Sequence, residues 1–307
     1  MRRFIVAATL AALPAVGRSQ ARPAGAGQSV NSGVSAEHAG TVTIVNWLGT
    51  VRVVGWDRDS VHVAGLASAG LINDPFIVTH TPERGVRVRR SFADLAGGAT
   101  VSGGSGAAEL IVNVPAHSHI VVDGYQTAID VSGVLGKLEL AANVDGAMHV
   151  SGSPAELDAY VAGSDIVLDV TTPYLRARTG SGRITWKGSS DDVSLNTVTG
   201  LITVNAGVVD RGRFESTSGD IHFSGGLSRT ASVTMDTHEG DIVAEFAKGT
   251  EAEVIMNAAI MDGFGVHSTN NPDPAKRGAM DHHLGKNDQA VVQINSFKGR
   301  ARASIRQ

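Results

Sequence analysis

The chain has 307 residues, with 26 Lys and Arg against 30 Asp and Glu for a formal charge of −4, 37 glycines, 5% aromatic residues and no cysteine. The mildly acidic balance argues against nucleic acid or an anionic membrane as partner, and the lack of cysteine excludes disulfides and a lipid-modified cysteine anchor. Abundant glycine, few aromatics and no long helical periodicity point to many short strands joined by tight turns.

Residues 1–21 read as an export signal. Arg2 and Arg3 precede an apolar run from Phe4 to Val16, and Ser19-Gln20-Ala21 places small residues where a signal peptidase reads. The run contains Pro14 and is too short for a membrane span, and no later stretch is long and apolar enough for one. The expected location is therefore periplasm, outer cell surface or medium, with no transmembrane span. Residues 22–40, RPAGAGQSVNSGVSAEHAG, are small and polar and are expected to form a flexible lead-in.

From there the chain repeats itself. NVDGAMHVSGS (143–153), TGSGRITWKGS (179–189), TVTGLITVNAG (197–207), STSGDIHFSGG (216–226) and THEGDIVAEFA (237–247) are versions of one phrase. One apolar column falls at Ile129, Met148, Ile166, Ile184, Ile202, Ile221 and Ile242, with steps of 19, 18, 18, 18, 19 and 21 residues. A second follows two residues later at Val131, Val150, Leu168, Trp186, Val204, Phe223 and Ala244. A third precedes both at Leu140, Ala159, Ala177, Leu195, Phe214, Met235 and Met256.

Apolar–polar alternation at period two means strands with one buried face. A unit this short cannot close a core alone, so it must stack on its neighbours. The fold class is accordingly all-β: a single-domain parallel β-solenoid over 41–307 with coils of about 18–21 residues, right-handed by the general preference for such connections. Irregular insertions are expected near 66–75, 93–108 and 267–288. Glycine stands two residues before the apolar column at Gly49, Gly146, Gly182, Gly200, Gly219, Gly240 and Gly299, and the expected reason is a turn with positive φ.

The opening GTVRVVGWDRDSVHV (49–63), the NVPAHSHIVV step (113–122) and the closing INSFKGRARA (294–303) resemble the bacterial putative-adhesin domain, a family of unknown function. It is carried on exported β-solenoids similar in kind to auto-transporter adhesin head domains. The resemblance covers almost the whole mature chain through structural glycines and strand patterns. It implies fold and export, and it supplies no catalytic residues to carry over.

The chemistry-bearing candidates fall in the same comb. Asp220 and Asp241 stand on adjacent coils with His222 or His238 nearby, the arrangement a polysaccharide-acting enzyme would use. Solvated strand-face residues are the preferred reading. A Ser218–His222–Asp241 triad has no accompanying oxyanion pocket. Thr179, Thr197, Ser216 and Thr237 precede the turn glycines and suit hydroxyls bonding turn backbone. His117 with His119 and His282 with His283 lack further ligands at metal spacing, so no metal or other cofactor is expected. GGSGAAEL (103–110) has Ala108 where a calcium-binding repeat needs aspartate.

Trp186 lies in a buried column, while Trp47 and Trp56 are expected to close the first repeat. The loop HSTNNPDPAKRGAMDHHLGKNDQ (267–289) is the candidate contact region, with Lys276, Arg277, His282 and His283 as ligand-binding residues. The function expected is a non-catalytic adhesin-like binding or structural module whose partner is a polysaccharide or an envelope or surface protein. Alternatives are a polysaccharide-acting enzyme using Asp220 and Asp241, and a protein-binding envelope scaffold.

Overall fold

The computed structural model describes residues 28–67, 76–90, 108–286 and 289–306. The export signal, residues 22–27 of the lead-in and most of the insertions expected at 66–75 and 93–108 lie outside them. Twenty strands among the described residues join in one continuous hydrogen-bonded sheet. The first seven are β1 (Gln28–Ser35), β2 (Thr41–Trp56), β3 (Ser60–Ala67), β4 (Phe76–Thr81), β5 (Gly85–Arg90), β6 (Ala108–Pro115) and β7 (His119–Ser132). The middle holds β8 (Lys137–Asp145), β9 (Met148–Gly152), β10 (Glu156–Val161), β11 (Ile166–Val170), β12 (Tyr174–Thr179), β13 (Ile184–Thr197), β14 (Ile202–Ser216) and β15 (Ile221–Thr237). The last are β16 (Ile242–Phe246), β17 (Ala252–Gly263), β18 (Val266–Thr269), β19 (Met280–Leu284) and β20 (Val291–Ile305).

Each coil gives one strand to each of two facing ranks. In the front rank, parallel pairing aligns Val42, Ile120, Leu138, Leu157, Leu175, Val193, Gly212, Val233, Val292 and Val254 in one inward column. In the back rank the column runs Val51, Ile129, Met148, Ile166, Ile184, Ile202, Ile221, Ile242, Ala301 and Met261. Apart from Gly212, these residues are part of the buried apolar core. They interdigitate as period-two strands require. Phe214 of the front rank meets Phe223 of the back rank with ring centroids 5.9 Å apart, so the two inner faces share one core. The Phe214 ring also fills the space beside Gly212, where an added Cβ would lie 3.2 Å from it, which explains the one missing side chain in the column.

β13, β14 and β15 are long because each turns a corner, from the back rank of one coil to the front rank of the next. Register shifts mark the corners, between Gly188 and Ser190 and between Asn205 and Val208.

Four expectations need correction. Residues 28–35 are not a flexible lead-in: β1 pairs antiparallel with β3 along its whole length, and Val30 and Val34 pack on the core. A bare outer edge of β3 rewards even a weakly apolar strand for covering it. The ends are also not purely parallel, since β3–β6, β4–β5, β17–β18 and β17–β19 are antiparallel. The insertion expected near 267–288 holds ordered strands, β19 lying along β17.

The fourth correction concerns stacking order. Met256 does not follow Met235 in space, because β20 inserts between β15 and β17, aligning Met235, Ile294 and Met256. The C-terminal strand is thus an interior rung, and β17 reaches one rung beyond it.

Candidate functional site

The turn column that holds Asp220 and Asp241 is a structural device. Each buried hydroxyl takes the backbone N–H of the glycine three residues on: Gly182 donates to Thr179, Gly200 to Thr197 and Gly240 to Thr237 at 3.1 Å, Gly219 to Ser216 at 2.8 Å and Gly299 to Ser296 at 2.9 Å. Four of these hydroxyls also donate to a carbonyl on the neighbouring coil, Thr197 to Gly182 and Thr237 to Gly219 among them. The carboxylates extend the same stitching. Asp165 accepts the Arg183 N–H at 2.7 Å, Asp220 that of Asp241 at 2.8 Å, and Asp241 that of Arg300 at 2.8 Å. Asp220, His222 and Asp241 are all exposed. His222 stands in register with Thr203 and Val243, so neither column neighbour is a carboxylate.

Positive φ explains only part of the glycine column. Gly49 and Gly146 have φ of 112° and 140°. Gly182, Gly200, Gly219, Gly240 and Gly299 do not share that conformation. At these five a Cβ would lie 1.7–2.2 Å from a carbonyl oxygen of the adjacent coil, so glycine is required by close approach of backbones.

The loop residues do not converge. Arg277 lies over the Phe297 ring at 5.0 Å and donates to the carbonyls of Phe297 and of Asn271, the latter at 3.3 Å, latching the loop to β20. Lys276 pairs with Asp273 at 3.6 Å. Adjacent on a strand, His282 and His283 diverge: His282 stacks on Phe264 at 4.2 Å, whereas His283 approaches Glu253 at 3.9 Å. His117 lies against His38, and His119 pairs with Glu139 at 3.3 Å. Among the described residues no group of three or more His, Asp or Glu is arranged to hold a metal ion.

Of the tryptophans, Trp186 takes the buried position its column assigns, whereas Trp47 does not close the end of the stack. Trp186 is fully buried and donates to the Val170 carbonyl at 3.1 Å. Trp56 ties its indole N–H to the Ser60 carbonyl at 2.8 Å, at the turn into β3. Trp47 packs beside Tyr125 one coil in from the end of the stack, because β5 and β6 lie beyond β2.

The outer side of the front rank carries a feature that the turn comb does not announce. On β12, in YLRART, Leu175 and Ala177 face the core, which turns Tyr174, Arg176 and Arg178 outward. Register places Arg176 beside Ser194 and Ser194 beside Arg213, so the short serine makes a floor between two arginine walls. This trough has a volume of about 530 Å³, with Arg178, Asn196 and Arg211 also at its border. Arg211 pairs with Asp192 at 3.2 Å, Arg178 with Asp158 at 3.8 Å, and Arg213 with Glu215, whose hydrogen bond raises the guanidinium pKa. Among the described residues Arg176 has no such ion-pair partner, although Asp158 stands beside it in register. Tyr174 and Tyr160 are 54% and 41% exposed, and Tyr160 stands beside Arg178 on the next strand. The alternation in YLRART was the available signal. It was masked because turn glycines, not outward residues, define the repeat.

These features define a class: a stacked β-solenoid with flat outer faces that present ladders of side chains. The model of the Toastrack DUF4097 family, a domain of unknown function, matches residues 88–299, more than half of the chain, and the chain belongs to that family. No curated protein matches it. Among solved structures it is similar to a putative adhesin from Bacteroides fragilis, with 8% identity over 91% of this chain and 97% of that one and a TM-score of 0.46. It is also similar to a putative cell adhesion protein from Clostridium sporogenes, with 8% identity over 91% and 100% and a TM-score of 0.23.

Proposed function

We propose that this chain is an exported, non-catalytic binding module of the bacterial cell envelope, and that it holds an extended ligand on its front outer face. The observation that carries this reading is the contrast between two groups of polar side chains. Asp220 and Asp241, which an enzyme would need, accept backbone N–H groups between coils. Among the described residues, Tyr160, Tyr174 and Arg176 stand exposed on the front rank and enter no side-chain hydrogen bond or ion pair between coils. Exposed aromatic and arginine side chains on a preorganised scaffold are the usual anchors of recognition. Export rests on the signal-like first 21 residues.

The test applies residues 22–307 to an array of bacterial and matrix polysaccharides and reads retained protein and released oligosaccharide from the same wells. Retention without release is expected, unchanged in Asp220→Ala and Asp241→Ala. Release that disappears in Asp220→Ala would overturn the reading in favour of an enzyme. Capture of a single envelope protein with no glycan retained would replace it with a protein scaffold.

A further inference from the structure

We infer that the trough around Arg176 is a subsite for an acidic polysaccharide, with one ligand carboxylate docked on Arg176 and sugar rings laid on Tyr174 and Tyr160. This rests on the binding-module reading and names the ligand class for it.

Three observations converge. The first is charge. Arg178, Arg211 and Arg213 each pair with a carboxylate, whereas among the described residues Arg176 does not, and Asp158, beside it in register, meets Arg178 at 3.8 Å. The trough, which Asp192 and Glu215 also line, therefore offers one guanidinium outside any ion pair among the described residues, a fork that matches a carboxylate in bidentate geometry. Nucleic acid and anionic bilayers draw affinity from many uncompensated cations at once, which this surface lacks on a chain of net charge −4.

The second is the placement of the aromatics. Tyr174 precedes Arg176 by two residues on the same face of β12, about 7 Å along the strand. Tyr160 lies one strand over on β10, beside Arg178 and on the side of β12 away from Ser194, so both rings stand at the rim outside the trough. Two exposed rings thus bracket the Arg176 guanidinium diagonally, which suits a polymer alternating flat rings with charged substituents. Tyrosine gives such a ring a large rigid platform with a polar tip.

The third is the floor. Ser194 is flanked by Arg176 and Arg213 at one rung on either side, so the arginine backbones are about 10 Å apart. Asn196, at the same level, bonds Glu215 at 2.8 Å. Ser194 lines the base of the trough and among the described residues its hydroxyl enters no hydrogen bond, which leaves it to meet a sugar hydroxyl.

The experiment titrates residues 22–307 with sodium alginate and, separately, with dextran of the same length. Anionic phosphatidylglycerol vesicles and single-stranded DNA are run beside them. Arg176→Gln, Tyr174→Ala and Tyr160→Ala are compared with Arg302→Gln, a cation on the other rank, and thermal unfolding checks that each variant is folded. Alginate is expected to bind and dextran to bind weakly. Arg176→Gln should lose about tenfold or more, as expected when a charge-assisted hydrogen bond is removed, and Arg302→Gln should not. Wild-type affinity in Arg176→Gln, equal binding of dextran, no alginate binding, or preferential binding of vesicles or DNA would each overturn the inference. Dextran retention insensitive to Arg176 would leave the binding module standing without this subsite. Cleavage of alginate would remove both.

Discussion

The turn glycines show how a one-atom change acts on the stack. A Cβ at Gly200 or Gly219 would fall 1.7 or 1.8 Å from the carbonyl oxygen of Gly182 or Gly200, and neither glycine has the positive φ that would have made the cost local. The coils must move apart to admit it, and packing insertions of this kind cost about 1–3 kcal/mol or more. Gly219→Ala is therefore expected to lower the melting temperature measurably, while Gly278→Ala, with nothing within 4 Å of its Cβ, should leave it unchanged. Thr197→Val keeps the shape but orphans the Gly200 N–H and the Gly182 carbonyl, for about 1–3 kcal/mol by thermal or chemical unfolding. The glycine positions were legible from spacing alone. Their reason was not, because a collision with the neighbouring coil is a property of the stack and leaves no trace in the local sequence.

At the far end, the β17–β18 hairpin is tied by a titratable contact. The Asp262 carboxyl is held below its ordinary range first by the hydrogen bond from the His267 ring, then by the charges of His267, Arg300 and Arg302. A lowered carboxyl stabilises the fold above its ordinary pKa and loses that contribution as pH falls through the lowered value, below about 4. Backbone amide exchange around Asp262 and His267 should therefore show more protection at pH 5 than at pH 3 after correction for intrinsic rates. Asp262→Asn should abolish that difference; an unchanged difference would place the acid sensitivity elsewhere. Residues 267–288 read as an irregular insertion because Pro272, Pro274, Asn270 and Asn271 are turn-forming residues, and β18 is only four residues long. What orders the region is tertiary. The open edge of β17 receives β18 and β19, and Arg277 clamps the intervening segment on Phe297.

The three apolar columns made the solenoid readable because each rung repeats the same inward alternation, yet periodicity is blind to the order in which rungs are threaded. Val292, Ile294, Ala301 and Ala303 fit the columns as well as Val254, Met256 and Met261 do, so either strand satisfies the pattern beside β15. In the folded chain β20 takes that place, and β17, though made first, is held one rung further out. Folding in chain order therefore requires a gap one strand wide to stay open until β20 arrives, a non-local closure of the kind that slows β proteins. Removing residues 290–307 should leave the facing edges of β15–β16 and β17 unpaired, and unpaired edges recruit other strands. The truncated chain is expected to self-associate in analytical ultracentrifugation and to lose amide protection along β17, and a peptide of residues 290–306 supplied in trans should restore both by adding its strand to the gap. A truncated chain that stays monomeric with β17 fully protected would mean that β17 can close directly onto β15. The interior position of β20 would then be one of two packings the columns allow, rather than the keystone of the last coils.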